Sequence, residues 1–155
     1  MPPPIVHKSF TIERTYPATA TRVFAALSDP VKKRRWFAEG DGFVVDSYTL
    51  DFRVGGFERT RFRFGDGPAM TTDCVYLDIV QNERIVFAYA MTVGGVALSS
   101  SLGTMELRRV PAGTALWFTE HTAFLDGNDG SESRRDGSIS LLEALARELH
   151  THPTT

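Results

Sequence analysis

The stretch from Arg135 to His150 restricts the fold more than any other. Ile139, Leu142, Leu145, Ala146 and Leu149 recur at spacings of three and four, which puts them on one side of a helix, with Glu143, Arg147, Glu148 and His150 on the other. The residues before it read as a long succession of strands. A single helix that follows an antiparallel run buries its apolar side by lying across the sheet. The pattern therefore predicts an α+β domain in which a curved sheet wraps a C-terminal helix, and any space left between them is a candidate binding site.

In chain order, Met1 to Ile5 is a proline-rich lead-in, and residues 1–6 are expected to be disordered. Ser9 to Tyr16 alternates as a first strand, which Pro17 ends. Thr19 or Thr21 can cap a short helix carrying Val23, Phe24 and Leu27. Pro30 opens a second short helix, with the basic run Lys32-Lys33-Arg34-Arg35 read as a solvated face and an end near Trp36-Phe37. Candidate strands then follow at Phe43 to Ser47, Tyr48 to Arg53, Phe57 to Phe64, Met70 to Val80, Arg84 to Thr92, Ala97 to Val110 and Thr114 to His121. Turn signals such as Gly55-Gly56, Gly65-Asp66-Gly67-Pro68, Gly94-Gly95 and Pro111-Ala112-Gly113 separate them. Connections this short imply an antiparallel meander, and Leu125 to Ser133 reads as a polar loop. In the last hairpin, pairing Leu107 with Phe118, Arg109 with Leu116 and Met105 with Glu120 gives one mainly apolar and one mainly polar face. Glu120 then points to the helix and His121 to solvent.

The 155 residues fit one domain, 1–155, without a dividing linker or repeat. With Lys+Arg 17 against Asp+Glu 19 and a net charge of -2, nothing draws the chain to nucleic acid. No apolar run has the length of a membrane span, and the N-terminal residues have no signal-peptide core, so a cytoplasmic location is expected. Cys74 is the only cysteine, which excludes an internal disulfide and a multi-cysteine zinc site. His7, His121, His150 and His152 stand at no metal-ligand spacing to one another, and neither a metal nor a cofactor is expected. Ser99-Ser100-Ser101 lacks the strained turn of a hydrolase nucleophile, so no catalytic residue is assigned.

Taken together, Val23-Phe24 with Asp29-Pro30 and Trp36, Asp51-Phe52-Arg53-Val54-Gly55-Gly56, Glu83-Arg84-Ile85-Val86 and Ala112-Gly113-Thr114 carry a resemblance, as do Glu120 with Phe124-Leu125-Asp126-Gly127 and Arg135-Asp136-Gly137 before Leu141 to Ala146. The chain resembles the START-like superfamily, which has the helix-grip fold and includes the birch-pollen allergen and the polyketide cyclases. More narrowly it resembles the bacterial branch related to the activator of the heat-shock-protein ATPase. The resemblance implies a sheet of about six or seven strands, two short helices after the first strand and a long C-terminal helix. Members bind lipids, polyketides, flavonoids or partner proteins.

Gly55-Gly56 reads as a structural turn and Asp51 with Arg53 as a surface pair. The aromatic strands favour a small hydrophobic ligand such as a lipid, polyketide or aromatic metabolite. Phe62 and Phe64 share one face of their strand, and Phe87, Tyr89 and Met91 share one face of theirs. Trp36, Phe118 and Leu142 complete the candidate wall, with Tyr76, Tyr89 and Glu120 to orient a hydroxyl or carbonyl. Two alternatives stand beside it. One is a protein-interaction module resembling the chaperone co-activators, working through Trp117, His121 and Arg108, where Trp117 could instead mark a homodimer. The other is a cyclase-like reaction in which a buried Glu120 moves a proton.

Overall fold

The computed structural model describes residues 1–39 and 43–153. Its seven strands are β1 (Val6–Tyr16), β2 (Phe43–Leu50), β3 (Phe57–Phe64), β4 (Met70–Val80), β5 (Arg84–Val93), β6 (Val96–Val110) and β7 (Gly113–Phe124). They form one antiparallel sheet in the order β1-β7-β6-β5-β4-β3-β2, so β2 to β7 run as a meander and β1 closes the far edge against β7. Helices α1 (Ala20–Ser28) and α2 (Pro30–Lys33) follow β1, and α3 (Ser131–Thr151) ends the chain. This is the α+β, helix-grip arrangement that the sequence predicts.

Local chemistry sets the helix starts. Thr19 accepts a hydrogen bond from the Arg22 N–H at 3.2 Å and caps α1. The Asp29 carboxylate accepts from Val31 and Lys32, and Pro30 occupies the first turn of α2. That helix does not stop at Lys33 but widens into a π-helical turn, Arg34–Ala38. α3 begins at Ser131, inside the segment expected to be a loop, because Asp129 accepts from both the N–H and the hydroxyl of Ser131. Its first two turns are polar, which hid them from an apolar periodicity.

Two expectations about the strands are corrected. Phe43 to Leu50 is one strand, not two, and a bulge between Val45 and Ser47 breaks its alternation. In the last hairpin Leu107 faces Leu116, Met105 faces Phe118 and Gly103 faces Glu120. The turn centres on Pro111-Ala112, one residue earlier than expected, since Val110 pairs with Gly113. A slip of two residues leaves every side chain on its expected face, so Glu120 is buried and His121 exposed.

α3 packs on β1, α1 and the π-helical turn. Its Leu142, Leu145 and Leu149 join Ile12 and Tyr16 of β1, Leu116 and Phe118 of β7, and Val23, Phe24 and Leu27 of α1 in the core. Full burial of each leucine contributes about 1.5–3 kcal/mol. The Tyr16 hydroxyl donates to the Leu142 carbonyl at 3.0 Å and fixes α3 against the sheet edge. At the opposite edge Gly55 and Gly56 exchange backbone hydrogen bonds with Tyr76, and a Cβ on Gly56 would lie 2.1 Å from the Asp51 carbonyl oxygen. The pair is a structural turn, and Asp51 with Arg53 is an exposed ion pair at 2.8 Å within it.

Phe87 lies across Gly103, where a Cβ would stand 2.4 Å from its ring, and stacks on Phe118 at 6.3 Å. Replacing Gly103 by alanine forces that ring to move and is expected to cost about 1–3 kcal/mol in urea unfolding. An unchanged midpoint would contradict this packing.

Candidate functional site

The register assigns the concave face. Its side chains include Tyr48 and Phe43 of β2, Glu58, Thr60, Phe62 and Phe64 of β3, and Met70, Thr72, Cys74 and Tyr76 of β4. Phe87, Tyr89 and Met91 of β5 follow, then Ser99 and Ser101 of β6 and Phe118, Glu120 and Thr122 of β7. All the strand residues expected to line a site therefore share this face, while Trp36 and Leu142 approach it from the helices. The structure divides them into a packed group, an outer group, and the hydrogen-bonded pair Tyr89 and Glu120 between the two.

Trp36, Tyr76, Phe87, Phe118 and Leu142 lie in the packed half. The Trp36 indole donates to the Ala26 carbonyl at 2.8 Å, and Tyr76 stacks edge-on against Phe52 at 4.9 Å. Side chains fill the space beneath the C-terminal part of α3, where the sequence placed part of the expected cavity. Phe62, Phe64 and Met91 lie towards the other end, where Phe43, Phe62 and Phe64 contact one another with ring centroids 5.9–6.2 Å apart. Phe64 is 58% exposed although it belongs to the concave face. Two openings stand out elsewhere on the surface. One is a niche of about 10 Å³ bordered by Arg22, Arg35 and Glu148, and the other an open groove of about 660 Å³ between Pro17–Arg22 and Arg109–Gly113. The concave face itself offers a half-buried aromatic wall that ends in the exposed Phe64.

Two buried polar clusters bound this wall. In the first, Glu58 Oε1 accepts from Lys33 Nζ at 2.8 Å and from the Tyr76 hydroxyl at 2.9 Å, while Oε2 accepts from the Tyr48 hydroxyl at 2.5 Å. Lys33 also lies over the Phe37 ring at 4.7 Å. The expectation of a wholly solvated basic run is corrected here: Lys33 is buried, and Arg35 pairs with buried Glu148 at 2.5 Å. The turn from α2 into the wider helix directs Lys33 inward and lays Arg35 along α3.

In the second cluster Glu120, 1% exposed, accepts from Tyr89 at 2.7 Å on Oε1, and from Thr122 at 2.6 Å and Arg134 at 3.3 Å on Oε2. Arg134 also donates to Ser99 at 2.8 Å and lies over the rings of Tyr89 and Phe124. Sequence reasoning missed Arg134, Lys33, Glu58 and Tyr48. Arg134 was legible in one respect, since it extends the buried stripe of Ser138, Leu142, Leu145 and Leu149 upstream by one turn. Glu58 was legible as well, by alternation with Phe62 and Phe64.

Burial, reinforced by Glu58, pushes the Cys74 thiol up to about 12 despite Lys33, so it is a poor nucleophile at neutral pH. Among the described residues no group of three or more His, Cys, Asp or Glu could hold a metal ion, and no helix is long and apolar enough to cross a membrane. On the outer face Arg108 lies over Trp117 at 5.2 Å, and His121 is exposed further along the same face of β7.

A curved sheet with a C-terminal helix across its concave side, and polar side chains converging where the two meet, defines the helix-grip class. Within it the chain belongs to the family described as activator of Hsp90 ATPase homolog 1-like protein, whose model matches residues 17–150. It is similar to the Mll3558 protein of Rhizobium loti, with 47% identity over 94% of this chain and 99% of that one and a TM-score of 0.88. An uncharacterised protein from Rhizobium leguminosarum is 39% identical over 96% of this chain and 97% of that one, with a TM-score of 0.91. The AHSA1-like protein from Aeromonas hydrophila shares the fold at 16% identity, covering 94% of each chain with a TM-score of 0.68. No curated protein matches the chain.

The two clusters set the behaviour in alkali. All four tyrosines, Tyr16, Tyr48, Tyr76 and Tyr89, ionise well above the ordinary value near 10, first because they are buried, and for the last three also because Glu58 or Glu120 lies beside the phenol. The folded chain thus holds these protons more tightly than the unfolded one. The resulting stability is intact below pH 10 and is lost as pH rises beyond it. Tyrosinate absorbance at 295 nm is expected to appear together with loss of the fold; ionisation near 10 in a still-folded protein would contradict the clusters.

Proposed function

We propose that the protein binds a small, mainly apolar molecule on its concave face, with Phe43, Phe62, Phe64 and Met91 as the wall and the Tyr89–Glu120–Arg134 cluster at its inner boundary. Trp36, Tyr76, Phe87, Phe118 and Leu142 then form the packed half of the same face, beside the wall. One observation carries this reading: three phenylalanines in mutual contact extend out of the core along a face that α3 leaves uncovered at this end. Exposed apolar surface of this kind marks a place where something docks. A concave shape suits a small guest better than a flat partner.

The other readings draw less support. Both oxygens of Glu120 accept hydrogen bonds from neighbours, which suits an orienting group more than a proton carrier. Trp117 is screened by the Arg108 guanidinium, which weakens it as an anchor for a protein partner or a second copy. Binding of the neutral dye N-phenyl-1-naphthylamine tests the wall. Phe64→Ser removes one ring that is already half in solvent, so its affinity is expected to fall about tenfold while the melting temperature changes little. Equal affinity in the two proteins would place the dye elsewhere.

A further inference from the structure

We infer that the molecule held by this wall carries a neutral oxygen, as an alcohol, phenol or ketone, and that Thr60 receives it. The inference rests on the binding reading above and adds the chemical class. Thr60 is 4% exposed on the concave face of β3, and its hydroxyl has no hydrogen-bond partner among the described residues. Buried polar groups are normally satisfied, so an orphan of this kind points to an absent partner.

A missing neighbour does not explain it. Thr60 directly faces Thr72 across the β3–β4 pair, yet no hydrogen bond joins them. Three facing hydroxyl pairs elsewhere in the sheet do bond, Thr11 with Thr119 at 2.9 Å, Thr71 with Thr92 at 2.5 Å and Ser101 with Thr122 at 2.8 Å, and where Thr104 faces Thr119 without a bond the Thr119 hydroxyl is already engaged by Thr11. Thr60 also sits one register step inward from Phe62, about 7 Å along the strand. The hydroxyl is closed over, so a ring lying against the phenylalanines brings an attached oxygen to Thr60 by parting the side chains above it. A hydroxyl both donates and accepts, so it serves an alcohol, a phenol or a carbonyl equally.

Charge supplies the second restriction. The cations that border the wall, Lys33 and Arg134, are paired with the buried carboxylates Glu58 and Glu120 respectively. A carboxylate ligand would find no unpaired cation here, and an amine no unpaired anion, so either would enter without compensation for its lost hydration.

Displacement of N-phenyl-1-naphthylamine by naphthalene, 2-naphthol and 2-naphthoate tests the class in the unaltered protein, and Thr60→Val and Thr60→Ser test the residue. Valine keeps the shape and removes only a hydroxyl without a partner, so the fold is expected to persist. 2-Naphthol is expected to displace the dye at about tenfold lower concentration than naphthalene, with 2-naphthoate weakest. Thr60→Val abolishes that advantage without changing naphthalene, and Thr60→Ser retains it. Equal displacement by naphthol and naphthalene, an advantage that survives in Thr60→Val, or preference for naphthoate would each overturn the inference while leaving the wall intact. Failure of the dye itself to bind would remove the wall as well.

Discussion

The buried pair of Lys33 and Glu58 is the contact on which the rest of the architecture turns. It joins the end of α2 to the start of β3, through residues 25 positions apart in the chain, at 2.8 Å. Taking two such charges out of water costs several kcal/mol per ion, and their attraction offsets this only when the remaining hydrogen-bonding capacity is also satisfied. Tyr48 and Tyr76 complete the carboxylate, and the face of Phe37 covers the ammonium. Breaking the pair from one side would strand a charge in the interior. The position of α2, and with it the π-helical turn that presents Trp36 and Phe37, is therefore set by electrostatics as much as by apolar burial.

That placement explains why the concave face divides into a closed and an open part. The π-helical turn and α3 pack against each other, with Arg35 joined to Glu148, and α3 is held at the β1 edge by Tyr16. Helix and turn together cover the central strands near Phe87 and Phe118. The far ends of β2 to β5 extend past this cover and keep Phe43, Phe62, Phe64 and Met70 only partly buried or exposed. Arg134 projects from the first turns of α3 to the boundary, where Glu120 neutralises it and Tyr89 and Phe124 flank it. The interior is thus lined with apolar surface and paired charges.

Much of this organisation was legible in the chain itself. The three- and four-residue spacing from Ile139 to Leu149 marked α3, and alternation put Glu120 inward and His121 outward even though the pairing was two residues off. That error came from the Pro111-Ala112 turn, where a proline and a following glycine each permit a turn centre. The split of β2 came from its bulge, because an extra residue at Asp46 breaks a period that sequence reading depends on. The polar clusters were harder to see. Lys33 lies within four consecutive basic residues and Arg134 within a polar stretch, and in both cases the backbone path, which no local pattern encodes, turns the charge inward. Whether aromatic strand residues pack or protrude was equally unreadable: Phe87 and Phe64 look alike in sequence, but only Phe87 packs against the core.

A neutral apolar guest on the open part of the concave face, as proposed, would lie against two methionines. The methyl resonances of the four methionines test that proposal most directly, because Met70 and Met91 lie on that face, Met105 packs against the core and Met1 is fully exposed. On titration with N-phenyl-1-naphthylamine, Met70 and Met91 are expected to shift with a common saturation curve while Met1 stays fixed. A saturable shift confined to other methionines, or none at Met70 and Met91 when the dye is bound, would contradict the proposal.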